Sequence, residues 1–218
     1  MLKNINLSFR RARTLVPTLM TLRASTHDGK HVRRFRVLGV DPAVAGATGY
    51  GVVEFEGATP RLLRFGTLKL PARATFAARL REIHGLIAHL VEEFSPDAVA
   101  VESVFMALNA RTALKLAEMR GVVLLAAAQA RVPAHSYSPR EVKSCVAGYG
   151  AASKQQMQQM VCSALGLATR PEPSDAADAL AVALCHAHIA QARERMAAAT
   201  ATRAVPAAPR IRTRTARV

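Results

Sequence analysis

Four carboxylates occupy positions that a folding chain normally fills with apolar residues. The stretch PSDAADALAVALCHAH (173–188) has the look of a helix that is apolar on nearly every side, yet it carries Asp175 and Asp178 three residues apart. That spacing sets both on one helix face. Two short apolar runs, RVLGV and AVAV, each end on an acid, Asp41 and Glu102. Charged carboxylates are almost never buried without a partner. Taken singly, each has an ordinary explanation: Asp41 opens a turn before Pro42, Glu102 lies at a solvated strand end, Asp175 favours a helix N-terminus through the dipole, and Asp178 joins a buried salt bridge. Taken together, carboxylates gathered at one point repel unless a cation lies between them. Oxygen-only ligation with room for water suits magnesium or manganese rather than zinc. Two such ions about 3.5–4 Å apart can activate a water and stabilise a leaving oxygen in phosphodiester hydrolysis.

The elements that must position these acids follow from pattern. RFRVLGVD (34–41), TGYGVVEFEG (48–57) and PRLLRFGTLKL (60–70) are apolar or alternating runs separated by turn residues, and they predict three consecutive strands. Residues 75–95 place Leu80, Ile83, Leu86, Ile87, Leu90 and Val91 at helical spacing. PDAVAVE (96–102) predicts a buried strand, 109–132 a helix capped by Asn109, and PAHSYS (133–138) another strand. Helices follow over 139–148 and 153–166 and from Ser174, the expected N-cap, to about Ala190. Three strands followed by alternating elements imply an α/β fold whose mixed sheet is flanked by helices. If the strands ending in Asp41 and Glu102 are central neighbours, both acids emerge at the sheet rim where such folds place their chemistry.

Composition bounds the rest. The 218 residues carry a net charge of +15, but nearly all of it lies in the two ends. Residues 1–36 hold nine Lys/Arg against Asp28, and 191–218 hold seven Arg against Glu194. The middle is close to neutral, so bulk charge does not identify a nucleic-acid binder. Arg111, Lys115, Arg120, Arg131, Arg140, Lys143 and Lys154 gather between Glu102 and Lys154; they read either as a phosphate-binding face or as a solvated helix surface. Three cysteines without a CxxC pair point to core thiols in a reducing compartment. No uninterrupted apolar run reaches membrane-spanning length. The basic N-terminal extension (1–34) has the composition of a transit peptide, of an upstream start site or of a loose basic arm. The globular domain is expected over 35–190, followed by a disordered basic tail over 191–218.

The segments GVDPAVAGATGYGVV, VESVFMALNARTALKLAEMRGV and DAADALAVALCHAH, in this order and spacing, resemble the RuvC family of bacterial Holliday-junction resolvases over about residues 35–190. The resemblance implies a ribonuclease-H-like fold and paired, metal-dependent nicking of four-way junction DNA. It implies that Asp41, Glu102, Asp175 and Asp178 are the catalytic, metal-binding acids, holding Mg²⁺ (two ions per site, with Mn²⁺ able to substitute). It further implies that Phe105 inserts among bases, that Lys143 and Lys154 lie near the scissile phosphate, and that Asn109 and Arg111 belong to the DNA-binding surface. A homodimer, RuvA and RuvB as partners, no membrane association and a bacterial cytoplasmic location follow from the same likeness. One departure is local: Asp41-Pro42-Ala43 replaces the family's Asp-Pro-Gly and the loop is one residue longer, so Gly46 is expected to supply the missing backbone freedom. The rival readings are another ribonuclease-H-like nuclease acting on RNA or on non-junction DNA, an actin-like ATPase domain, and a binding-only module.

Overall fold

In the computed structural model, the described residues are 34–44, 46–103 and 109–203. Phe105 and the two basic termini, 1–33 and 204–218, lie outside them. The elements run β1 (Arg34–Asp41), β2 (Thr48–Glu56), β3 (Thr59–Leu68), α1 (Phe76–Phe94), β4 (Ala98–Glu102), α2 (Ala110–Gln129), β5 (Ala134–Tyr137), α3 (Pro139–Ala147), α4 (Lys154–Leu165) and α5 (Ser174–Arg203). The strands form one sheet in the order β3-β2-β1-β4-β5. β1–β2 and β2–β3 are antiparallel, whereas β1–β4 and β4–β5 are parallel. This is the mixed sheet that three sequential strands followed by strand–helix alternation predict.

Strand alternation divides the core into two layers. Leu38, Val40, Val52, Val99 and Val101 face α1 and α2, packing on Ile83, Ile87, Met119 and Val123. Val37, Val53, Phe55 and Ala100 face the opposite way, toward α3, α4 and α5. Asp41 keeps the parity of Val37, and Glu102 that of Ala100, so both carboxylates belong to the α5 side of the sheet.

Helix α5 crosses the sheet over β1 and β2, and glycines allow it to. A Cβ added to Gly39 would come within 2.1 Å of the Ala179 carbonyl oxygen, one on Gly49 within 1.9 Å of the Asp175 carbonyl, and one on Gly51 within 2.4 Å of Leu180. Glycine within a strand marks such a close backbone approach. The facing helix contributes Ala176, Ala177, Ala179, Ala181 and Ala183, all buried. Small residues on both sides therefore bring the backbone of α5 onto the sheet, and with it Asp175 and Asp178.

Local signals set the remaining boundaries. Thr75, Asn109, Ser138 and Ser153 each cap a helix with a side-chain oxygen accepting a backbone N–H, and the last two complete capping boxes with Glu141 and Gln156. Gly148 and Gly166 end α3 and α4 in the left-handed conformation that glycine adopts without strain.

Three expectations are corrected. Ser174 is the first residue of α5 rather than its cap, and the Ala176 N–H bonds the Pro173 carbonyl instead. Helix α5 does not end near Ala190 but continues to Arg203. Residues 192–200 are exposed, yet they are rich in Ala and straight-chain residues with no Gly or Pro before Pro206, and that propensity favours continuing the helix. Gly46 is not among the positive-φ glycines, and a Cβ there would make only an ordinary 3.6 Å contact with Ala43. The changed loop therefore does not draw on glycine's freedom at that position.

Candidate active site

β1 and β4 run parallel in register, Val40 beside Val101, so Asp41 and Glu102 leave the sheet side by side. α5 lies across this edge. Single carboxylate oxygens of Asp41, Asp175 and Asp178 all lie within 4.8 Å of one another. Glu102 is not part of that three-oxygen group; it stands beside Asp41, close enough that each carboxyl bears on the ionisation of the other. The four acids thus meet from β1, β4 and α5, as their positions at strand ends and on one helix face require.

The electrostatics are those of anions short of a counter-charge. Burial first, then the charges of Glu102 and Asp178, push the Asp41 carboxyl from its ordinary 3.8 up to about 8. Glu102 is also raised, by burial above all, although the hydrogen bond from Asp41 works the other way. Among the described residues Lys154 pairs with the group directly, its Nζ 2.9 Å from Asp178 Oδ2, and Lys143 acts on Glu102 without an ion-pair contact. The hydrogen bond to Asp178 holds the Lys154 ammonium above its usual range. Two lysines do not neutralise four carboxylates, and the raised Asp41 carboxyl reflects the shortfall. An all-oxygen donor set this short of positive charge fits a hard divalent cation.

Next to the acids lies a cavity of about 240 Å³ lined by Glu102, Asp178, Lys143 and Lys154, with Pro139, Val142, Met157 and Ala181 forming its apolar wall. Lys143, from α3, is near enough to Glu102 to oppose the rise in its pKa. Two ammonium groups beside the carboxylates make a place for a phosphate, and the apolar wall suits the sugar or base attached to it. Sequence reasoning named both lysines but missed the wall and the glycines that seat α5. The signal for the latter was present as Gly39, Gly49 and Gly51 inside apolar strands.

Asn109 and Arg111 are exposed at the start of α2. The Asn109 side chain accepts the Thr112 N–H at 2.9 Å, which is its capping duty. Neither residue lines the cavity. A carboxylate that sequence reading passed over, Glu54, is buried on β2 but belongs to a different arrangement. Arg36 Nε and Arg61 lie 2.7 and 2.8 Å from its oxygens, and they hold its carboxyl below the usual range. Paired in this way, Glu54 is structural, and the contrast with the cation-poor cluster at Asp41 is informative.

A mixed five-stranded sheet in this order, with acids from its first and fourth strands and from a helix laid over them, defines a nuclease of the ribonuclease-H-like fold. The particular family comes from comparison with known proteins. The family described as crossover junction endodeoxyribonuclease RuvC matches residues 37–186. The crossover junction endodeoxyribonuclease RuvC of Chloroflexus aurantiacus is 48% identical over 160 residues, covering 73% of this chain and 97% of that protein. Its counterpart from Syntrophomonas wolfei is 46% identical over 153 residues, covering 70% and 88%. The solved structure of Thermus thermophilus RuvC in complex with Holliday junction substrate superposes with a TM-score of 0.69 at 39% identity, covering 73% of this chain and 96% of that one. The yeast mitochondrial Holliday junction resolvase Ydc2, at 15% identity and a TM-score of 0.57, shares the fold. The chain belongs to the RuvC family.

Proposed function

We propose that this protein resolves Holliday junctions in DNA recombination and repair, cutting paired phosphodiester bonds with Asp41, Glu102, Asp175 and Asp178 as its metal-holding acids. The observation that carries the reading is the meeting of these carboxylates from three elements with too little positive charge to balance them. Magnesium is the ion we assign, with manganese able to substitute; bound there it supplies an activated water and a counter-charge for the leaving oxygen.

The remaining roles fall to the chain itself. Asp41 gives up its proton when a cation arrives, and that release couples metal affinity to pH. Lys143 and Lys154, at the cavity, neutralise the phosphate being cut, and the apolar wall of Val142, Met157 and Ala181 seats the adjoining nucleotide. Phe105, three residues beyond Glu102, enters among the bases at the junction centre, and Asn109 and Arg111 extend the DNA-binding surface. The protein acts as a homodimer in the bacterial cytoplasm, because two nicks in opposing strands require two sites related by a dyad. RuvA and RuvB are its partners by family likeness. Among the described residues no helix is long and apolar enough to cross a membrane.

The test is cleavage of a synthetic four-way junction beside linear duplex and an RNA–DNA hybrid, in Mg²⁺. Paired symmetric nicks in the junction alone are expected. Asp178→Asn is expected to abolish cutting while junction binding persists. Equal cutting of the linear duplex or of the hybrid would replace the junction assignment with that of a general ribonuclease-H-like nuclease.

A further inference from the structure

On the seam where α3 packs against α5, beneath the cavity, lies a group of reactive side chains that phosphodiester hydrolysis does not use. Cys145, in the last turn of α3, has its sulfur 3.6 Å from the Cys185 carbonyl oxygen and 3.9 Å from His188 Nδ1. The Cys145 sulfur therefore rests against Cys185 itself, across the seam from α3 to α5. Cys185 is fully buried in α5, whereas Cys145 and His188 are partly open to solvent.

A buried thiol is ordinarily an inert hydrophobe. Cys145 differs in having an imidazole, a second thiol and a route to solvent together. The Cys185 S–H, then His188, hold the Cys145 thiol below its usual range, against the opposing effect of burial. Cys145 in turn raises His188, while Arg195 works against that rise. Cys185 is raised, by the Cys145 contact first, then by burial and, further down, by the charge of Glu141. Of the two cysteines, Cys145 is the one partly open to solvent and beside an imidazole, the setting in which nucleophilic thiolates form.

We propose that Cys145 and Cys185 are a peroxide-oxidisable pair, in which Cys145 reacts first and Cys185 closes a disulfide between α3 and α5. In the first step the Cys145 thiolate attacks one oxygen of hydrogen peroxide. An S–O bond forms, the O–O bond breaks, and the departing hydroxide takes a proton to become water, leaving a sulfenic acid. In the second step the Cys185 sulfur gives up its proton and attacks the sulfenic sulfur. The S–S bond forms and the hydroxyl leaves as water. Two thiols lose two electrons and one peroxide becomes two waters. The bond would fix the helix carrying Lys143, two residues before Cys145, to the helix carrying Ala181, one turn before Cys185. Both residues line the cavity.

Cys162 is an internal control, since its sulfur bonds only the Thr169 carbonyl, at 3.7 Å, among the contacts of the described residues. The full chain is treated with a few equivalents of hydrogen peroxide, free thiols are blocked with iodoacetamide, and peptides are read by mass spectrometry. The expected product is a cross-linked peptide joining Cys145 to Cys185, lighter by two hydrogens, reversed by dithiothreitol, with Cys162 still alkylated. Without peroxide, Cys145 is expected to alkylate on the order of tenfold faster than Cys162 at neutral pH. In Cys185→Ala the Cys145 sulfenic acid should persist and take up dimedone; in Cys145→Ser, Cys185 should stay reduced. Oxidation of Cys162 as fast as Cys145, or a stable sulfenic acid on Cys145 of the unsubstituted protein without the cross-link, would overturn the proposal.

Discussion

Replacing Asp41 by Asn removes one charge from a cluster that has too few partners, so it is expected to stabilise the metal-free protein while abolishing its response to Mg²⁺. The magnitude follows from the position of the Asp41 carboxyl, which is displaced from 3.8 to about 8 by burial and by its acidic neighbours. Each pH unit of displacement is worth about 1.4 kcal/mol. The cost is shared among several groups, and Asn still has to bury an amide, so we expect a net gain of about 2–3 kcal/mol at pH 8. For a domain of this size that is a rise of roughly 5–10 °C in the unfolding midpoint. The sign is fixed by linkage. A carboxyl raised in the folded state favours folding fully below its unfolded value near 3.8, and that contribution is lost as pH climbs through about 8. In EDTA, therefore, the parent protein loses this contribution between about pH 4 and 8, and Asp41→Asn does not. Mg²⁺ replaces the proton, so it should raise the parent's midpoint more at pH 8 than at pH 6 and leave Asp41→Asn almost unmoved. Differential scanning calorimetry of both proteins, with EDTA and with Mg²⁺ at the two pH values, makes the comparison. An Asn variant no more stable than the parent in EDTA at pH 8, or equal Mg²⁺ shifts in both proteins, would refute the reasoning.

Three further outcomes are expected. Gly49→Ala drives a methyl into the Asp175 carbonyl, which a Cβ would approach to 1.9 Å, and should cost about 3 kcal/mol or more together with the Mg²⁺-induced stabilisation. Gly85→Ala, on the exposed face of α1 with nothing within 4 Å, should instead gain roughly 0.5–1 kcal/mol, both variants being compared with the parent by urea titration. Lys154→Ala should barely change the urea midpoint, because its ion pair with Asp178 is solvent-exposed, but should slow single-turnover junction cleavage by roughly 10²-fold or more. His186 is buried, has its Nδ1 2.7 Å from the Tyr137 hydroxyl oxygen and is pushed down to about 4, chiefly by burial. Its neutral form supports folding fully above about pH 6.5 and that support is lost as pH falls toward 4, by roughly 1.4 kcal/mol per pH unit. His186→Leu should flatten the acid limb of midpoint against pH relative to the parent protein.

Some of this architecture was written in local residue choice. Apolar runs ending on Asp41 and Glu102, alternation along the strands, and caps at Thr75, Asn109, Ser138 and Ser153 act within a few residues, so elements and order are legible from the chain alone. The acids were legible for a related reason: a charge in an apolar setting is costly, and the pattern records that the cost is met. What local pattern could not decide was distance. Asp175 comes to Asp41 only because Gly39, Gly49 and Gly51 line up across two strands beneath an alanine-rich helix more than a hundred residues later in the chain. The raised carboxyl of Asp41, the pairing of Glu54 with Arg36 and Arg61, and the meeting of Cys145 with Cys185 are likewise products of tertiary contact. The continuation of α5 past Ala190 shows the reverse: there helix propensity, over residues 192–200 that are exposed, carried the element further than the fall in apolar periodicity implied. Composition and period determined which residues were available to the site. Close approach of backbones, and the scarcity of positive charge where they meet, decided which of them act together.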